Sequence, residues 1–123
     1  MFKKEETNKN FKEVEFLFPK EIDIERFIQK SSLEPFSNET VSYLNALSKE
    51  LNKDPRTRAY PDVATFGFFC RRANILSLKK KYSTNDIIRL GRGIVFHIAP
   101  SNVPVNFAYS LLSGLLAGNL NIV

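Results

Sequence analysis

Three side chains in this sequence have chemistry that an active site could use: the thiol of Cys70, the imidazole of His97 and the amide of Asn102. A cysteine thiolate is a nucleophile, a histidine ring accepts or releases protons, and an amide both donates and accepts hydrogen bonds. Each also has a structural interpretation. Cys70 lies in an apolar helical pattern typical of a small buried residue. His97 stands among apolar neighbours, which favours a core residue with a satisfied ring. Asn102 precedes a predicted helix that its side-chain oxygen could cap.

Asn102 lies in a stiff turn at the end of a predicted strand. Residues 94–99 are apolar at five of six positions, with His97 the exception, which predicts a strand of a parallel sheet buried on both faces. Residues 100–104 read Pro-Ser-Asn-Val-Pro, so two prolines fix the backbone around two polar residues. Open α/β sheets bind ligands at the carboxyl ends of their strands, and the sequence places this turn there.

A helix and a second strand follow the turn. Residues 105–117 have helical spacing, with a polar stripe opposite apolar positions. Gly118 stands where the end of a helix favours a positive φ, and residues 120–123 begin a second apolar run. The segment 93–123 is therefore predicted to be a right-handed βαβ unit. The chain stops within its second strand, so we expect it to be the front part of a larger protein.

The preceding region, residues 11–92, is predicted to be mainly helical with one edge strand, after a disordered tail over residues 1–10. Residues 11–18 alternate partly, which predicts an edge strand that Pro19 ends, and residues 22–28 predict a short helix. A longer helix begins near Ser37 and stops before Pro55.

Around Pro55 the pattern predicts a polar linker over residues 52–60, and after it one continuous helix from Pro61 to the lysines at 79–81. The connection over residues 83–92 is predicted to contain a short strand near residues 87–88.

Composition excludes several classes of protein. A single cysteine precludes an internal disulfide framework, suggests no metal cluster and suits a reducing compartment. No secretory signal is visible in the first residues, and no apolar stretch is predicted to be long enough to span a bilayer. The net charge is +5, with basic clusters at residues 71–72, 79–81 and 89–92. Such clusters attract phosphate-bearing partners, but they fit solvated helix ends better, and no nucleic-acid-binding motif accompanies them. A basic nucleic-acid-binding module is therefore the least favoured hypothesis, and we expect a cytoplasmic protein without nucleic-acid or membrane partners.

The segment 93–123 resembles the start of the cofactor-binding domain of the aldehyde dehydrogenase superfamily. The matching residues are Ile98, Pro100, Asn102, Pro104, Ala117, Gly118 and Asn119. Residues 60–75 and the Ser-Asn-Val-Pro form of the turn resemble its acyl-CoA reductase branch, which includes the fatty-acid reductase of bacterial bioluminescence systems. The fold class implied is α/β, with amino-terminal helices leading into the first βαβ unit of that domain, apparently truncated.

The resemblance implies an NADPH-dependent acyl-CoA reductase, in which a cysteine takes the acyl group and the product is an aldehyde. By this match Asn102 would supply an oxyanion-hole N–H. Ile98, Ala99, Pro100 and Ser101 would lie beside the nicotinamide. Ser101 replaces the aromatic residue that often precedes this asparagine, which weakens any stacking role. Gly91-Arg92-Gly93 precedes the strand and so is not a dinucleotide fingerprint.

The nucleophile of this superfamily lies downstream of the asparagine motif, beyond Val123, as does the basic residue that holds the cofactor ribose. Cys70 precedes the motif and does not match the nucleophile. We therefore expect the 123-residue chain alone to be inactive and poorly soluble. The implied partners are acyl-CoA or an acyl-protein thioester, an acyl-transferring protein and further copies of the full-length chain. The alternative is a non-catalytic remnant or interaction module of the same fold.

Overall fold

The computed structural model describes residues 15–83 and 87–123, which form two units divided between Lys30 and Ser31. The predicted tail over residues 1–10, and most of the predicted edge strand over residues 11–18, lie outside the described residues. The strand prediction is wrong for residues 15–18, which form no strand. The domain boundaries expected after residues 10 and 92 stay predictions.

In the unit that ends at Lys30, the described residues 15–30 include a short helix, α1, which spans Ile24–Ile28. Asp23 caps it, because its carboxylate accepts a hydrogen bond of 3.0 Å from the backbone N–H of Arg26. A capping aspartate satisfies one of the backbone donors that the first turn leaves free. The helix predicted over residues 22–28 is confirmed, with its first turn starting at Ile24.

Three helices open the second unit: α2 over Asn38–Lys53, α3 over Pro61–Phe69 and α4 over Arg72–Tyr82. Ser37 caps α2, since its Oγ accepts the backbone N–H of Thr40 at 3.2 Å. The helix ends before Pro55, as predicted, and packs against α3 and α4. Within the predicted polar linker, Pro55–Ala59 form a 3-10 helix that the sequence pattern did not indicate.

The prediction of one continuous helix from Pro61 to the lysines is wrong, because the helix breaks between α3 and α4. Arg71 has an extended ψ of 139°, which interrupts the helical backbone. Polar side chains stabilise the break: Asn45 on α2 accepts the backbone N–H of Arg72 at 3.2 Å, and Asn74 donates to the carbonyl of Phe68 at 2.8 Å. Side chains that hydrogen-bond the free backbone groups at helix ends replace the bonds a continuous helix would have made.

The predicted βαβ unit is present, with β1 over Ile94–Phe96, α5 over Asn106–Leu116 and β2 over Leu120–Ile122. The two strands are parallel, and Ile94 lies opposite Leu120. Both are shorter than predicted, although the N–H of His97 still donates to the carbonyl of Ile122 at 2.8 Å. The strand predicted near residues 87–88 is wrong, because both residues are exposed and irregular.

The expectation that the first strand is buried on both faces is also wrong. Val95 and His97 are half-buried, and the ring of His97 reaches α5. On the opposite face, the side chain of Phe96 is 66% exposed and that of Ile98 is 88% exposed. Because alternate residues of a strand point to opposite faces, α5 covers one face of the sheet only.

Gly118 ends α5 as predicted, with a φ of +82°. The N–H of Asn119 donates to the carbonyl of Gly114, and that of Gly118 donates to the carbonyl of Leu115, each at 3.0 Å. This pair of bonds is the Schellman motif, for which glycine is the preferred residue at the left-handed position. The turn it makes is what allows β2 to begin directly after the helix.

The core lies where α5 packs on the three preceding helices. Its buried apolar residues come from α2, α3, α4 and α5 and from the break between α3 and α4: Val41, Leu44, Phe66, Cys70, Ile75, Leu112 and Leu116. The edge of the Phe66 ring meets the ring of Tyr109 with 5.0 Å between centroids, which joins α3 to α5. Among the described residues, no helix has the length and apolar character needed to cross a bilayer.

Candidate active site

The polar turn lies at the carboxyl end of β1, and the amide of Asn102 is exposed there. The capping interpretation of Asn102 is wrong. The residue at the N-cap of α5 is Val105, and no side chain caps this helix. Within the turn, the N–H of Asn106 donates to the carbonyl of Val103 at 3.0 Å. Among the described residues the Asn102 side chain has no hydrogen-bond partner, so its two N–H donors are free to meet a ligand.

Residues 98–101 lie between β1 and Asn102 and form no helix or strand. Ile98, Pro100 and Ser101 are exposed, and Ala99 is half-buried. The structure therefore brings the four residues predicted to face a nicotinamide next to Asn102. The exposed side chain of Ile98 offers an apolar surface against which one face of a heteroaromatic ring could pack.

An apolar groove begins immediately after the turn and lies between α2, α3 and α5. Its volume is about 580 Å³, within the range of roughly 300–1,000 Å³ typical of small-molecule sites. The lining is almost entirely apolar: Tyr43, Leu44, Leu47, Leu51, Tyr60, Asp62, Val63, Phe66, Pro104, Val105, Phe107, Ala108, Leu111, Leu112 and Leu115. From Val105 to Leu115 the groove follows α5 for about 15 Å, at a rise of about 1.5 Å per residue.

The polar groups of the groove belong to residues that also reach solvent. Tyr43 is 54% exposed, Tyr60 is 60% exposed and Asp62 is exposed. Amphipathic side chains of this kind contribute apolar surface while their polar ends remain in water. The groove thus has an apolar interior with polar groups at its margin. Sequence reasoning missed it because three separate helices form it, although the apolar spacing of α5 was visible.

His97 joins three elements next to the turn. Its Nδ1 lies 2.7 Å from Oγ of Ser110 on α5, and its Nε2 lies 2.9 Å from Oδ1 of Asn121 on β2. The prediction that the ring of His97 is satisfied is confirmed, but the residue is half-buried rather than part of the core. Sequence reasoning did not find its two partners, although Ser110 was visible as part of the polar stripe of α5.

Cys70 is completely buried at the carboxyl end of α3. Burial raises the pKa of its thiol to about 11, because an apolar environment disfavours the charged thiolate. At neutral pH the residue is a protonated thiol packed in the core. This confirms the interpretation of Cys70 as a small buried residue and gives it no access to the groove or the turn.

Comparison with known families gives a match over the carboxyl-terminal part of this sequence. Residues 69–123 match the model of the family described as LuxC, acyl-CoA reductase. The matched segment contains α4, the β1–α5–β2 unit, His97 and the turn with Asn102. The match supports the acyl-CoA reductase family for this part of the chain. A search of curated proteins and one of solved structures returned no match.

We predict that Cys70 is structural. In the folded protein at pH 8, a thiol reagent should modify the peptide that contains Cys70 far more slowly than in the unfolded protein, as mass spectrometry of the digest would show. In the intact protein, Cys70→Ala should leave turnover nearly unchanged and lower the free energy of unfolding by about 1 kcal/mol.

The pH dependence provides the control. Because the folded protein holds the thiol proton more tightly than the unfolded chain, the raised pKa of Cys70 contributes to the free energy of unfolding. This contribution is fully present below the ordinary pKa of 9.0 and is lost as the pH rises through about 11. Cys70→Ala should remove that part of the decline in stability between pH 9 and 11. Loss of turnover in this variant, or rapid modification of Cys70 in the folded protein, would contradict a structural role.

Proposed function

We propose that this chain is part of an acyl-CoA reductase that converts an acyl thioester to an aldehyde, with Asn102 as the oxyanion donor. The observation that carries the proposal is that the segment matching the reductase family has an exposed amide in the turn after β1, and that two residues later, at Pro104, the same segment begins to line an apolar groove. A reductase of acyl thioesters needs both features, because it must bind an apolar chain and stabilise charge on a carbonyl oxygen.

In the proposed mechanism Asn102 acts on the carbonyl oxygen of the thioester. Attack by a nucleophile places negative charge on that oxygen, and a donor fixed beforehand stabilises the charge without reorganising in the transition state. The two prolines at 100 and 104 restrict the backbone around Asn102, which reduces the freedom of the amide. The side chain makes no competing hydrogen bond among the described residues, so both donors remain available for the oxyanion.

The nucleophile is proposed to be a cysteine outside this chain, beyond Val123, because the thiol of Cys70 is buried and protonated. NADPH is the proposed cofactor and, when bound, supplies the hydride. Ile98, Ala99, Pro100 and Ser101 would hold its nicotinamide end, since they form the exposed edge next to Asn102. Their part is to orient the ring and to exclude water from one side of it.

The groove is proposed to hold the acyl chain. It starts at Pro104 and Val105, two and three residues beyond Asn102, so a chain lying in it would have its carboxyl end near the amide. Its walls are leucine, valine and aromatic side chains, and burial of apolar surface stabilises binding by roughly 25 cal/mol for each Å². The polar groups at its margin can stay in water while the hydrocarbon is buried.

The role of Asn102 is tested by Asn102→Asp in the full-length protein. Aspartate keeps the shape but replaces the amide donor with a negative charge, and it removes no helix cap because Asn102 makes none. We expect hydride transfer in single turnovers to fall by about a hundred- to a thousandfold, the scale for one oxyanion-hole donor. Thermal melting should not change.

Asn106→Asp is the matched control for this experiment. It makes the same chemical change at an exposed position four residues later in the sequence. This position is in the first turn of α5, where a negative charge is favourable. Activity of this variant should match the parent. The catalytic assignment of Asn102 would be refuted if Asn102→Asp transferred hydride as fast as Asn106→Asp.

The role of the groove is tested by Ala108→Phe, which fills part of its α5 wall. We expect KM for long-chain acyl-CoA to rise by about tenfold, while short-chain acyl-CoA, which does not reach this wall, is reduced as before. Ala73→Phe introduces the same side chain at an exposed position of α4 that does not line the groove. If the two variants gave the same KM at every chain length, the acyl chain would have to lie elsewhere.

A further inference from the structure

We infer that His97 is a positioning residue for the active-site turn, holding β1 against both α5 and β2 at the point where the chain leaves the sheet. The kinetic part of this inference rests on the proposed function. The bridge, by which we mean the contacts of the His97 ring with Ser110 on α5 and Asn121 on β2, does not depend on that proposal.

Just before the turn, both the backbone and the side chain of His97 are hydrogen-bonded to other elements. Its backbone N–H donates to the carbonyl of Ile122 at 2.8 Å, and its ring reaches Ser110 at 2.7 Å and Asn121 at 2.9 Å. Between Ile98 and Asn102, the described residues form no regular structure, and the chain lies largely exposed. The position and direction of Asn102 therefore depend on where His97 is fixed, five residues earlier.

The contacts of Asn121 determine which nitrogen of the ring carries the proton. The Nδ2 of Asn121 donates to the carbonyl of Asn119 at 2.8 Å, so its Oδ1 faces His97 as an acceptor. An acceptor at this position requires Nε2 of His97 to be protonated, which leaves Nδ1 to accept the hydroxyl proton of Ser110. The bridge is thus satisfied by a neutral ring in one tautomer.

Gly114 makes room for the bridge. A Cβ at this position would overlap Oδ1 of Asn121 and would lie 3.1 Å from Nε2 of His97. The absence of a side chain allows α5 to approach β2 closely enough for one imidazole to reach both. A residue larger than glycine would separate the helix from the sheet and lengthen these hydrogen bonds.

The same contacts argue against a nucleophilic role for Ser110. A serine activated by histidine needs a cavity in which a substrate carbonyl can approach its hydroxyl. Ser110 is half-buried between α5 and the sheet, and it is not among the residues that line the apolar groove. Its hydroxyl therefore serves the bridge, and the effect on catalysis is indirect.

The test uses Ser110→Ala in the full-length protein, with Ser113→Ala as the matched control. Both serines are on α5, but Ser113 is exposed and donates only to the carbonyl of Tyr109, within the helix. We expect Ser110→Ala to lower kcat by about tenfold, because a small displacement of reacting groups has a large effect on rate, with KM for acyl-CoA unchanged. Ser113→Ala should behave as the parent.

A third variant separates positioning from general destabilisation. In His97→Gln the side-chain amide can reach the place of Nε2 but not that of Nδ1, so the link to Asn121 is kept and the link to Ser110 is lost. Adding Ser110→Ala to His97→Gln should therefore lower kcat no further, since residues that share one interaction are not additive. Additive losses would overturn the inference.

Nitrogen NMR of the imidazole gives a readout independent of turnover. In the parent, Nε2 should carry the proton and Nδ1 should not, and Ser110→Ala should shift the Nδ1 resonance alone. A ring with its only proton on Nδ1 would overturn the bridge, because Nε2 would then have no proton to donate to Oδ1 of Asn121. An active parent in which Ser110→Ala and Ser113→Ala have the same kcat would overturn the positioning role only. A full-length parent that does not oxidise NADPH with acyl-CoA would refute the proposed function, and with it the kinetic role of His97.

Discussion

The close approach of the end of α5 to the surrounding backbone is the constraint on which the rest of the structure depends. The carbonyl of Gly118 accepts the N–H of Leu33 at 2.9 Å, and the carbonyl of Leu33 accepts the N–H of Gly91 at 3.2 Å. A Cβ at Gly118 would overlap the carbonyl of Leu33, and a Cβ at Gly91 would overlap that of Gly118. Three segments distant in sequence can cross here only because these two residues are glycines.

This crossing fixes α5 relative to both the helices and the sheet, and thereby places the candidate site. On one side α5 packs on α2 and α3 and leaves the apolar groove between them. On the other side it approaches β2 at Gly114, so that His97 can bridge the two strands and the helix. The turn with Asn102 lies between these contacts.

The sequence indicated the parts of this arrangement that local pattern determines, and missed those that depend on distant contacts. The apolar run before Pro100, the helical spacing after Pro104 and the glycine at 118 were sufficient to predict a parallel βαβ unit. The break at Arg71 was missed because the apolar spacing continues across it, while the amide that stabilises it comes from Asn45 on another helix. Asn102 was assigned a possible capping role from its place before a helix, but α5 begins only at Asn106. The groove and the partners of His97 require the packing of several elements, which no single segment specifies.

A crystal structure of the full-length protein bound to a non-hydrolysable thioether analogue of a long-chain acyl-CoA tests the central claim most directly. The account predicts that the hydrocarbon lies in the groove between α2, α3 and α5, in contact with Phe107 and Leu111. The first carbon of the chain, which occupies the place of the thioester carbonyl, should lie next to the amide of Asn102, close enough for a carbonyl oxygen there to accept a hydrogen bond of about 2.9 Å from Nδ2. A structure in which other parts of the protein fill the groove, or in which the chain binds away from Asn102, would contradict the account.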